Sequence, residues 1–202
     1  MPTHKKWLGA DFSEQELWQK DFSYADLTGA DFSRSLCREC DFSHAILKNV
    51  NFTSADLRGC SLKAADISGA NLYFSMLEHV DLTGVKFDET TQYFKLHCPA
   101  QGAFLGYKKC FDFRIVQLLI PADARRTSAT NTTCRCDKAK VLTIKDMETN
   151  QDYTEAVSYV DQDFIYRRGQ WVEAKNFNPD RWVDSTGGIH FFLTRKEAED
   201  YL

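Results

Sequence analysis

ADFSEQELWQKDFSYADLTGADFSRSLCRECDFSHAILKNVNFTSADLRGCSLKAADISGANLYFSMLEHVDLTGVKFDE, residues 10–89, is written in fives. Steps of five from Phe12 reach Leu17, Phe22, Leu27, Phe32, Cys37, Phe42, Leu47, Phe52, Leu57, Leu62, Ile67, Leu72, Leu77, Leu82 and Phe87. That makes 16 apolar positions with none displaced. Two residues before nearly every one stands a small side chain, from Ala10, Ala25 and Ala30 through Cys40, Ala45 and Cys60 to Val80 and Val85. Gln15 and Lys20 break this second column. Between the columns the residue is usually Asp or Asn, as in Ala25-Asp26-Leu27 and Ala70-Asn71-Leu72.

A period of five matches neither the 3.6 of a helix nor the 2 of a strand. A chain that turns a corner every five residues does put each fifth residue inside, with four fives closing one coil and the next coil stacked upon it. Residue i then lies on residue i+20. Phe12, Phe32, Phe52 and Leu72 make one interior ladder, and Phe22, Phe42, Leu62 and Leu82 another. The remaining positions face outward, so a change at Arg58 is expected to be nearly neutral where a charge at Phe52 is not.

The A(D/N)LXX pattern, with Leu or Phe at its centre, resembles the pentapeptide-repeat family. The resemblance implies a mainly β chain: a right-handed quadrilateral parallel β-helix of about four coils over residues 1–94. Residues 1–9 are expected to plug its first end, with Trp7 and Leu8 as the covering groups. Gln15 and Lys20 imply an irregular first coil. The phase is lost around residues 90–94, and the exposed last rung of Leu72, Leu77, Leu82 and Phe87 then needs a cover.

Residues 95–202 read as a small α+β domain. Strands are expected at 103–108 and 114–120, a turn or helix start at Pro121–Arg126, and a polar loop at 128–133. A further strand is expected at 134–145, a hairpin at 164–172 around Arg168-Gly169, and a buried strand at 188–193. Thr194 and Glu197 stand at capping-box spacing for a terminal helix. The segments LLIPADARRTSAT (118–130), CRCDKAKVL (134–142) and GIHFFLTRKEAEDYL (188–202) are similar to an uncharacterised domain that follows pentapeptide repeats in bacterial and phage relatives. That resemblance implies no activity.

The 202-residue chain has a formal net charge of -4, unevenly spread. Residues 1–89 hold 9 Lys+Arg against 14 Asp+Glu, and the remainder holds 16 against 15. No apolar run approaches the roughly 18 residues of a membrane span, and the first residues lack a secretory pattern. Seven cysteines, three of them (Cys37, Cys40, Cys60) in interior columns, point to a reducing, cytoplasmic setting. Cys98, Cys110, Cys134 and Cys136, with His97 and His190, are poorly spaced for zinc. No metal, disulfide or cofactor is expected, and His97-Cys98-Pro99 reads as a turn rather than a nucleophile.

Two surfaces stand out. Asp21, Asp41 and Asp81 stack with Ser61 on one face, and Asp11 and Asp31 continue into Asn51 and Asn71 on another, at rung spacings of about 5 Å. The family resemblance implies one use for such ladders, because some pentapeptide-repeat proteins mimic DNA and bind gyrase. Those relatives have longer stacks and dimerise through a C-terminal helix, where this chain carries a whole domain. Arg125 and Arg126, with Arg135, Lys138 and Lys140, make the most basic patch, read as a solvated face or an intramolecular contact. The chain is therefore expected to be a non-enzymatic interaction or scaffold protein with an unidentified protein partner, in monomer or dimer form. DNA mimicry toward a type II topoisomerase is the alternative. Neither direct nucleic-acid binding nor a membrane association is expected.

Overall fold

An apolar residue at every fifth position stays buried only if the chain bends at the same interval. In the computed structural model, which describes residues 5–201, the second residue after each interior position from Phe12 to Leu82 takes a left-handed conformation. Glu14, Gln19, Tyr24, Arg34, Glu39, His44, Asn49 and Ser54 have φ between 55 and 59°. A backbone bond closes most corners, as from Ala25 N–H to Phe22 O (3.1 Å) and from Ala30 N–H to Leu27 O (2.9 Å). These are type II turns, whose third residue must have positive φ. Gly69 (φ 72°) has a second reason to lack a side chain, since a Cβ there would lie 2.1 Å from Asn49 Oδ1.

The Asp or Asn before each interior residue serves the same corner. Asp21 Oδ1 accepts the Ser23 N–H (2.9 Å) and hydroxyl (2.6 Å). Asp41 accepts from Ser43 N–H (2.8 Å), Asn51 from Thr53 N–H (3.1 Å) and Asp81 from Thr83 N–H (2.9 Å). A short polar side chain that accepts from the backbone two residues on stabilises a turn that the backbone alone would hold loosely.

Parallel bridges join residues twenty apart, from Lys6–Asp26 through Asp31–Asn51 to Asp66–Lys86. Backbone groups thereby find partners in the layers on either side: Phe32 N–H donates to Asn51 O (2.8 Å) and Asp31 N–H to Ala10 O (2.9 Å). The Phe rungs of the interior ladders form as expected, whereas at the last rung Leu82 is half-buried and Phe87 is exposed. Ring centroids are 4.7 Å apart between Phe12 and Phe32, 5.3 Å between Phe32 and Phe52, and 5.1 Å between Phe22 and Phe42. The two columns meet edge-on at 5.5–6.0 Å, a favoured aromatic geometry.

Both ends depart from expectation. Residues 1–4 of the expected plug lie outside the described residues, and Trp7 is itself part of the period. Its N–H donates to Asp26 O (2.7 Å), and its ring meets Phe12 at 5.6 Å. Gln15 and Lys20 leave the first coil regular, because their carbonyls accept from Leu36 N–H (2.8 Å) and Asp41 N–H (2.9 Å) like any other rung. Their side chains are exposed, so polar groups cost nothing there. At the far end the period slips rather than stops. Gln92 bridges Asn71 at an offset of 21 instead of 20, and Phe94 lies 4.8 Å from Phe87 while the Tyr93 ring meets Tyr73 at 4.7 Å, tilted by 44°.

The chain divides into two compact units, Met1–Lys95 and Leu96–Leu202. The second holds β1 (Phe104–Cys110), β2 (Arg114–Ile120), β3 (Arg126–Ser128), β4 (Cys134–Cys136), β5 (Lys138–Asp146), β6 (Glu155–Val157), β7 (Ile165–Arg167), β8 (Trp171–Glu173), β9 (Ile189–Phe191) and α1 (Arg195–Asp200). Three antiparallel sheets run in the orders β1-β2-β5-β8, β3-β4-β9 and β6-β7. Val116, Leu118, Ile120, Val141, Ile144, Tyr166 and Phe191 fill the core between them.

With a single six-residue helix among the described residues, this unit is nearly all β rather than a balanced α+β domain. The expected strand at 134–145 is two strands in different sheets, broken at Asp137, whose carboxylate takes Arg125 N–H (3.0 Å) and Nε–H (2.8 Å). The expected hairpin at 164–172 also divides: β7 pairs with β6 and β8 with β5. Pro121–Arg126 takes the turn alternative, with Ala124 N–H donating to Pro121 O (3.1 Å), and starts no helix. The capping box does form, with Glu197 N–H donating to Thr194 Oγ1 (3.2 Å) and Thr194 N–H to Glu197 Oε2 (2.9 Å). The helix ends at Asp200, and Leu202 lies outside the described residues.

Candidate functional site

The register lines up the carboxylates as the repeat demands. Asp11 bridges Asp31 and Asp31 bridges Asn51; Asp21 bridges Asp41, Asp41 bridges Ser61, and Ser61 bridges Asp81. Each carboxylate is also engaged in its own turn. The hydroxyl and N–H of Ser13 hold Asp11 below the usual carboxylate range, and Ser23 and Thr83 do the same for Asp21 and Asp81. Asp11, Asp21 and Asp81 are thus charged at neutral pH, and the acidity of the ladders is first of all a device for turning corners.

A third face breaks the pattern. The line Glu16, Leu36, Asp56, Met76 is bridged rung to rung, yet two of its members are apolar and exposed, Leu36 at 36% and Met76 at 41%. Trp18, 53% exposed, lies beside this line, with the Arg38 guanidinium 5.5 Å from its ring. Between Leu36 and Met76 sits Asp56, buried at 1% and clamped by Arg38 Nε (2.6 Å) and by Arg58 through Nε (2.8 Å) and Nη2 (2.6 Å). Arg58 is therefore no neutral outward residue: it holds a buried carboxylate.

Burial raises the Asp56 pKa, but the hydrogen bonds from Arg58 and Arg38 outweigh it and hold the carboxyl at about 2. The ordinary value of 3.8 returns on unfolding. A depressed folded pKa contributes stability above the unfolded value that disappears as pH falls through the folded one. With both guanidinium groups about a third exposed, the contribution is about 1–2 kcal/mol. Wild type should lose that much relative to Asp56→Asn between pH 4 and 2 in acid-unfolding curves. A difference between the two that does not change with pH contradicts this.

The basic patch is largely consumed within its own unit. Arg125 pairs with Asp137 (2.8 Å), and Lys138 with Asp123 (2.6 Å). Arg126 donates to the carbonyls of Gly102 (2.7 Å), Pro121 (2.7 Å) and Ala122 (2.8 Å), with its guanidinium 5.2 Å from the Phe104 ring. Arg135 lies apart from them, 2% exposed. Its Nη1 donates to the carbonyls of Asn178 and Gly187, and its Nη2 to those of Asp180 and Val183, at 2.8–3.3 Å. One buried side chain thus holds the segment 178–187 in place.

That segment helps to wall a cavity of about 530 Å³, together with Lys108, Tyr166, His190 and Phe192. Lys108 is 7% exposed. The sequence signal for it was the alternation of β1, which sets Gly106, Lys108 and Cys110 on the buried face. Burial, with the Lys108 and Arg135 cations adding to it, pushes the His190 imidazole down to about 4, so it is neutral at physiological pH.

Cys98, Cys110, Cys134 and Cys136 share the apolar core. Among the described residues no group of His, Cys, Asp and Glu is arranged to hold a metal ion. Cys98, 2% exposed, lies within that core. No helix among the described residues is long and apolar enough to cross a membrane.

Residues 94–198 match the model of a family of unknown function, DUF5758. Residues 9–35 and 35–72 match that of pentapeptide repeats, in eight copies. No curated protein matches. Among solved structures, a pentapeptide repeat protein from the Arabidopsis thaliana thylakoid lumen is 34% identical over 40% of this chain and 59% of its own, with a TM-score of 0.35. A pentapeptide repeat protein from the cyanobacterium Cyanothece 51142 is 24% identical over 38% and 62%, with a TM-score of 0.20. QnrB1, a plasmid-mediated fluoroquinolone resistance protein, is 17% identical over 42% and 63%, with a TM-score of 0.26. The chain spans about three fifths of the length of these three structures.

Proposed function

We propose, for a chain that belongs to the family of unknown function DUF5758 and carries pentapeptide repeats ahead of that domain, a non-enzymatic interaction protein. Its repeat unit is a right-handed quadrilateral coil of about four turns, a reading supported by the twenty-residue register. The observation that carries the function is the third face. Trp18, Leu36 and Met76 are exposed where the repeat elsewhere places Asp or Asn or other polar groups, with Arg38 and Arg58 among them. Aromatic, Met and Arg side chains are those that protein interfaces favour, and such residues carry most of the binding energy. The partner on this reading is a protein, met by a rigid surface that loses little entropy on binding. A cytoplasmic location is part of the reading and rests on seven buried, unpaired cysteines.

Affinity capture with the whole chain as bait tests the assignment of the face. Proteins retained saturably by wild type should be lost with Leu36→Ser/Met76→Ser and kept with Asp21→Asn/Asp41→Asn. The reverse order would transfer the binding face to the acidic ladders. A gyrase supercoiling assay, with and without a quinolone, addresses DNA mimicry directly; the reading adopted here expects no change in either.

A further inference from the structure

The cavity of the C-terminal unit falls within the size range of small-molecule sites, roughly 300–1,000 Å³. Its walls mix aromatic rings (Phe164, Tyr166, Phe192, Tyr201) with Lys108, the exposed Lys175 and Lys109, whose Nζ donates to the carbonyls of Glu199 (3.1 Å) and Tyr201 (2.7 Å). Lys108 stands on the core face of β1, 7% exposed, and among the described residues its ammonium has neither a hydrogen-bond partner nor an ion pair. The acidic side chains of the lining, Asp161 and Asp163, are exposed. Arg135 behind the 178–187 segment spends its donors on four carbonyls and adds a further positive charge nearby.

A buried cation without a counter-charge is costly to the fold. Burial accordingly pushes the Lys108 pKa down. Groups held at such cost concentrate where a ligand supplies what the protein withholds. A single ammonium is a point charge rather than a planar fork, which suits one compact anionic head, and the ring-lined walls suit an apolar body. We propose that this cavity binds a small anion carried on an aromatic or apolar body, a carboxylate or a phosphate monoester, with Lys108 as its counter-charge. His190, neutral at physiological pH, lines the same wall without adding a charge of its own.

Calorimetric titration of the full chain tests this with three probes of one shape: 4-hydroxybenzoate, phenyl phosphate and the neutral 4-hydroxybenzamide. At least one acid should bind saturably at one per chain, and the amide at least tenfold more weakly. Which acid binds separates the carboxylate from the phosphate source. Lys108→Met should weaken that acid at least tenfold while its melting temperature stays level or rises, because an uncompensated buried cation is gone. Failure of both acids, equal binding of the amide, or unchanged affinity in Lys108→Met overturns the proposal. So does a clear fall in the melting temperature of Lys108→Met, since the ammonium would then be stabilised by its own unit.

Discussion

Phe52→Asp should abolish the cooperative unfolding transition of the repeat unit. Phe52 is fully buried, its ring 5.3 Å from Phe32 and 6.0 Å from Phe42. Truncating a buried Phe costs about 3–5 kcal/mol. A carboxylate in its place adds the penalty of a charge with neither water nor partner. Small domains have only about 5–15 kcal/mol in total, so the sum removes most or all of the margin. The effect should spread, because layers twenty residues away on both sides lose a stacking face. Lys63→Gln, at an exposed outward position of the same coil, should stay within about 0.5 kcal/mol. Circular-dichroism melts of the two variants check this. An unmoved midpoint for Phe52→Asp would mean that the frame of five is misassigned.

The second large effect is expected at Arg135. Replacing it with Leu keeps bulk but strands four carbonyls, those of Asn178, Asp180, Val183 and Gly187. A buried acceptor left unpaired costs about 1–3 kcal/mol, and the four together exceed what the segment can bear closed. The outcome is local opening rather than global unfolding, since carbonyls released to water recover their hydrogen bonds. Amide exchange should therefore quicken across 176–188 while β2 and β5 stay protected. Arg135→Lys should open the same segment, because an ammonium with three donors cannot reproduce the planar fork. Exchange confined to the ends of the chain in both variants would show that the loop holds itself.

Much of the repeat unit was legible because its signal is redundant: each of the interior steps from Phe12 to Phe87 repeats the same statement about burial. The role of Asp and Asn was harder to read. A ladder of acids suggests a charged surface, whereas each carboxylate first bonds the N–H two residues on, a local geometry that charge counting does not register. The third face did carry a sequence signal in Leu36 and Met76, apolar residues in the Asp/Asn column. Arg58 was misread as free because its partner Asp56 is buried by neighbours twenty residues away on each side, a relation that no local pattern expresses.

The C-terminal unit was legible only where signals are local. The Thr194–Glu197 box and the β1–β2 hairpin need few residues to define them. The run 134–145 looks continuous because Asp137 sits among strand formers, and the switch of sheets there is set by Arg125. The cavity was invisible for the same reason: Lys108 and His190 are 82 residues apart and meet only through the fold.

The line of Leu36, Asp56 and Met76, and every surface assignment built on it, rests on residues twenty apart lying side by side. Nuclear Overhauser spectra of the full chain measure this directly. Cross-peaks should join the backbones of Asp31 with Asn51, Leu36 with Asp56 and Asp41 with Ser61. An offset other than twenty at these three rungs, or sequential contacts alone, would contradict the account.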